Sequence, residues 1–104
     1  MATITIDWDM GMPYQVQQIV LSDTTNTAVF DDPQDSTAPL ILRVEQGSGL
    51  TPKLLSWPSN VFWESGVAPT LSLVAGNVDV LEFAAINTGS DFEYYGRVYA
   101  LGIL

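Results

Sequence analysis

"VDVLEFAAI", residues 78–86, is apolar on both parities. Successive side chains of a strand point to opposite faces. Val78, Val80, Ala84 and Ile86 therefore share one face, and Leu81, Phe83 and Ala85 share the other. A strand apolar on both faces is either central in a layered β fold or placed at a subunit contact. The stretch "FEYYGRVYALGIL", residues 92–104, has the same character. Its Val98, Ala100 and Leu104 lie on one face, and Tyr99, Leu101 and Ile103 on the other.

Outward from this pair, strand signals dominate. "TITIDWD" alternates, with Ile4, Ile6 and Trp8 on one side and Thr3, Thr5, Asp7 and Asp9 on the other. "YQVQQIVL" begins with Tyr14 and Val16 on one face, then continues with Ile19 and Leu21 on the opposite parity, a shift that a β-bulge at Gln17-Gln18 would explain. "AVF" is a short strand, and "LILRVEQ" puts Leu40, Leu42 and Val44 inward. "PKLLSW" and "NVFW" read as two short strands around "PSN", and "TLSLVA" as a further strand closed by a "GN" hairpin turn. No long stretch has helical periodicity. Short strands at this spacing predict an all-β, antiparallel β-sandwich or jelly-roll-like fold. The 104 residues suit one domain, spanning 1–104.

Composition narrows the function. The chain has no Cys and no His, which removes disulfides, thiolate sites, and the commonest general base and transition-metal ligand. Net charge is −9, from 12 acidic and 3 basic residues. Such a surface repels phosphate and anionic lipid, so neither nucleic acid nor membrane is expected as a partner. Charged residues are 14% of the chain, against about 25% in an ordinary domain. With so little charge for solvation, some apolar surface is expected to lie inside an assembly. No run reaches the ~18 apolar residues of a membrane span, and "MATITIDWDMG" lacks the basic and apolar regions of a signal peptide.

Candidate chemistry is sparse. Asp7 and Asp9 share a strand face, and Asp31, Asp32 and Asp35 sit in or beside the loop "DDPQDSTAP". A carboxylate pair on a strand permits glycosidase spacing, but alternating acid on a solvent face is ordinary. "DDPQD" lacks the ligand spacing of a calcium loop. No G-x-S-x-G is present. These acids are read as solubilising charge, and neither catalysis nor a cofactor is expected. Trp57, Trp63, Tyr94 and Tyr95 offer rings for a sugar to stack on. The tryptophans read better as core. Tyr94 and Tyr95 are adjacent and cannot both point inward, so they stand as a candidate glycan contact.

The ordered series "LRVEQGSG", "LLSWPSNVFWESGVAPTLSLVAGNVDVLEF" and "YYGRVYALG" resembles a module of tailed-bacteriophage virion proteins, found at the tips of head and tail fibres and in small capsid decoration (cement) proteins. The matching positions are Gln46, Gly47, Gly49, Trp57, Pro58, Trp63, Gly66, Pro69, Thr70, Leu71, Asp79, Val80, Leu81, Phe83, Tyr95 and Gly96, within residues 14–101. The resemblance implies an all-β homotrimer on the virion surface, made in the host cytoplasm, with the major capsid protein or another virion protein as partner. No fibre shaft accompanies the module in this sequence, which favours a decoration protein. A receptor-binding tip that meets a host-surface glycan is the alternative. Residues 1–12 are expected to form an assembly strand or arm. Val80, Phe83, Tyr99, Leu101 and Ile103 are the expected oligomer contacts.

Overall fold

The structure is a computed structural model that describes residues 2–7, 15–31, 39–89 and 91–103. Eight strands form it: β1 (Ala2–Asp7), β2 (Gln15–Leu21), β3 (Thr25–Asp31), β4 (Leu40–Gln46), β5 (Leu54–Ser56), β6 (Val61–Trp63), β7 (Val78–Asn87) and β8 (Phe92–Ala100). A single 3-10 turn, Glu64–Gly66, is the only helical element among the described residues. The chain is all-β, as the alternation predicts.

The strands build two sheets, one ordered β1-β3-β5 and the other β2-β4-β7-β8-β6. The chain steps between the sheets at each of its first five connections. Consequently β1–β3, β3–β5 and β2–β4 pair in parallel, and the long crossover such a pair needs is supplied by a strand of the facing sheet. The β6–β8 pair is also parallel, with β7 of the same sheet between them in sequence. Only β4–β7 and β7–β8 are antiparallel. The expected antiparallel, jelly-roll-like order is therefore not the order of either sheet. The β7–β8 hairpin is inserted between β4 and β6, and this makes β7 the central strand of five, as its two apolar faces demand.

The core lies between the sheets. Ile6, Ala28 and Phe30 from one sheet meet Ile19, Leu21, Leu40, Leu42, Leu81, Phe83 and Tyr94 from the other. The β1-β3-β5 sheet has three strands against five, and its β3 reaches β8 through Phe30, stacked on Tyr94 at 4.5 Å. The connection from β5 to β6 passes from one sheet to the other. Trp57 and Trp63 flank it, edge to face at 5.2 Å, and each packs on Phe83, at 5.5 and 5.4 Å. Both tryptophans are partly buried and packed against the core. Gly96 lies opposite both Trp63 and Phe83 in the ladder. A Cβ there would stand 2.5 Å from Trp63 Cζ3 and 2.7 Å from Phe83 Cε1. The aromatic rings occupy the space that a side chain would take.

Three expectations are corrected. First, β1 is no free arm: it pairs with β3 from Ala2 to Asp7, and Ile6 is fully buried. Second, there is no bulge at Gln17-Gln18, because β2 runs in unbroken register with β4. Gln17 points the same way as Ile19 and Leu21. Its Nε2 donates to Thr5 O (3.0 Å), and its Oε1 accepts from Asp7 N (2.7 Å), so an amide closes the seam between β2 and the edge of β1. Val16 and Val20 are exposed on the outer face. The actual register shift falls between Val80 and Leu81, where Val80 pairs with Ala100 but Leu81 with Val98. Tyr99 is the extra residue, and beyond it the faces of β8 exchange. Third, "TLSLVA" forms no strand, and "GN" no hairpin. Trp8, Asp9, Tyr14, Asp32, Asp35 and Leu104 lie outside the described residues.

Candidate interaction surface

Two surfaces stand out, and both depend on buried polar residues or ladder register. The first is one end of the molecule. Gln46 closes β4 and is buried; its Nε2 donates to Lys53 O (3.0 Å) and Ser72 O (2.9 Å), while its Oε1 accepts from Lys53 N (2.8 Å). Asp79, near the start of β7, is also buried. Its two carboxylate oxygens accept from Ser72 N (2.7 Å) and Gly102 N (2.8 Å). Ile103 N donates to Val78 O (3.0 Å), and Gly76 N to Gln46 O (2.9 Å). Gly47 beside them tolerates no side chain, since a Cβ would lie 1.9 Å from Leu21 O.

The result is three irregular segments (48–54, 71–77 and 101–103) pinned to one end of the sheets. On them Leu50, Leu54, Leu73, Val74, Leu101 and Ile103 are all exposed. These six aliphatic side chains stand at one end of the sheets, on chain tied down at Lys53, Ser72 and Gly102 by Gln46 and Asp79, and exposed apolar side chains gathered in this way are candidates for a contact. Sequence reading expected Leu101 and Ile103 here but missed the other four. It noted Gln46 and Asp79 only as matches in the resemblance. A lone polar residue in a strand carries no signal of burial until its partners, 7 and 26 residues away for Gln46, are known.

The second surface is the outer face of the five-stranded sheet. Tyr94 and Tyr95 divide as adjacency requires. Tyr94 is fully buried, stacked on Phe30 at 4.5 Å, and takes no part in a surface contact. Tyr95 is exposed and stacks on Phe62 across the β6–β8 pair at 5.6 Å. Its O–H donates to Glu93. That hydrogen bond, then desolvation and the carboxylate's charge, holds the phenol above its ordinary 10.0. Beside it Arg97 Nε meets Glu82 Oε1 at 2.6 Å.

The remaining expected contacts also separate. Val80 is half-buried on the outer face, and the bulge turns Tyr99 outward, leaving it 71% exposed. Phe83 is fully buried against Phe30, Trp57 and Trp63. It fills the protomer core and cannot lie at a contact. Among the described residues no cluster of acids is arranged to hold a metal, and no helix is long and apolar enough to cross a membrane. Compared with known protein families, curated proteins and solved structures, the chain gives no match in any of the three.

Proposed function

We propose that the chain is a non-enzymatic structural protein of a bacteriophage virion, a homotrimeric decoration protein that cements neighbouring copies of the major capsid protein. The apolar end carries this reading. Its side chains are aliphatic, while the Gln46 and Asp79 hydrogen bonds fix the backbone beneath them. A contact made there orders little chain, so little of the burial gain is lost to entropy. Six aliphatic side chains at about 1.5–3 kcal/mol each give on the order of 10 kcal/mol before association costs. The ordered motif series supports the virion assignment, and the −9 charge suits a partner other than nucleic acid. In a trimer each copy presents one patch to a different patch of the next, an arrangement that closes into a ring.

The test is sedimentation equilibrium of the purified chain, followed by addition to particles stripped of their surface proteins. The expected result is a trimer that rebinds the heads and raises their thermal stability. A monomer that leaves stripped heads unchanged rejects the proposal.

A further inference from the structure

We infer that the outer face of the five-stranded sheet carries a binding trough for a neutral polysaccharide, centred on Tyr95 and Ala84. The ladder builds it. Ala84 pairs with Tyr95, and Tyr95 pairs with Phe62, so a methyl-sized floor lies beside two exposed rings. Pro39, just before β4, lines the opposite side, because its neighbour Leu40 pairs with Phe83. Two ladder steps away, on the same face, Glu82 pairs with Arg97, and the two ion-pair. The depression they line is shallow and open to solvent, with a volume of about 560 Å³.

The chemistry selects the ligand. An aromatic face is electron-rich, and it attracts the polarised C–H groups on the flat side of a pyranose ring. The Glu82–Arg97 pair offers carboxylate acceptors and guanidinium donors, which together match adjacent hydroxyls. Glu64 also lines the trough, and Glu93 holds the Tyr95 hydroxyl. Three carboxylates against one guanidinium, on a chain of net charge −9, repel sulfated, phosphorylated or sialylated chains. The trough is open rather than enclosed, which suits an internal stretch of a polymer. The outer face of the other sheet has no such feature: its Thr3–Thr27, Thr5–Val29 and Asp7–Asp31 pairs present no ring.

The site is independent of the apolar end, so this inference stands or falls apart from the decoration role. The experiment is affinity electrophoresis of the full chain through gels containing neutral glucans, galactans or mannans, with dextran sulfate and poly-L-proline as comparisons. At least one neutral polysaccharide is expected to retard the protein, and dextran sulfate is not. Tyr95→Ala is expected to weaken retardation about tenfold, and Arg97→Ala to weaken it too. Tyr95→Phe keeps the ring and is expected to retain most of it. Val20→Ala, on β2 at the far edge of the same face, is expected to change nothing. Circular dichroism of each variant checks the fold. No retardation by any neutral polysaccharide, retardation indifferent to Tyr95→Ala, or retardation by poly-L-proline alone would overturn the inference.

Discussion

Gly96→Ala tests how closely the Trp63 and Phe83 rings pack over β8. The added Cβ would sit 2.5 Å from Trp63 Cζ3, 2.7 Å from Phe83 Cε1 and 2.9 Å from Trp63 Cε3. All three atoms belong to rigid rings packed on one another, with Trp57 behind them. No flexible side-chain end is available to yield, so rings or backbone must shift. Overpacking of this kind costs about 1–3 kcal/mol. Replacing glycine also narrows the unfolded ensemble, which returns about 0.4–1 kcal/mol. The net expectation is a loss of about 1–2 kcal/mol, or a Tm lower by about 5–12 °C for a domain of this size. Trp63→Phe removes the part of the indole that the methyl would strike, and alone it leaves a cavity. The two changes together should be less damaging than their sum, with a coupling of about 1 kcal/mol. Thermal and urea unfolding of the two single variants and the double variant measure all of these. An unchanged or raised Tm for Gly96→Ala, or strict additivity in the double variant, would refute the packing argument.

Asp79→Ala strips the acceptors from two main-chain N–H groups and is expected to cost about 3 kcal/mol in urea unfolding, with faster hydrogen exchange at Ser72 and Gly102. Gln17→Ala unseals the edge of β1, and is expected to speed exchange at Asp7 while leaving that at Leu42 slow. The Tyr95 phenol has a folded pKa raised above its unfolded value. Its contribution to stability is thus fully present below pH ~10 and lost as pH rises through the folded pKa; ultraviolet titration of the chain beside its Tyr95→Phe variant should show Tyr95 ionising late, and Glu93→Gln should move that ionisation earlier. Ile103→Asp is expected to dissociate the proposed trimer in sedimentation equilibrium without lowering the monomer's β content.

What was legible in the sequence was each strand whose faces differ in polarity, and the centrality of β7. Pairing direction was not legible, because parallel and antiparallel strands share the same alternation. Gln17 misled because its amide faces inward to bond β1, while Val16 and Val20 face out, and this inverts the expected pattern. The bulge at Tyr99 was hidden since "VYALGIL" is apolar on both parities, so a one-residue slip leaves no trace. "TLSLVA" looks like a strand, but Ser72 gives its N–H to Asp79 and its O to Gln46, and these bonds replace a ladder. Of the candidate site, Leu101 and Ile103 were legible as contact candidates, and Tyr95 only as one of an adjacent pair of which one had to face out. Phe62, Ala84, Glu82 and Arg97 were not, because only the register of β6, β7 and β8 gathers them.

The central proposal is that the chain decorates a phage head. Cryo-electron microscopy of virions purified from cells that make the chain tests this most directly. The account predicts trimeric density on the head surface, fitted by two facing sheets of three and five strands, with the apolar end buried in a contact. Density at a fibre end alone, or a particle that lacks the chain altogether, would contradict it.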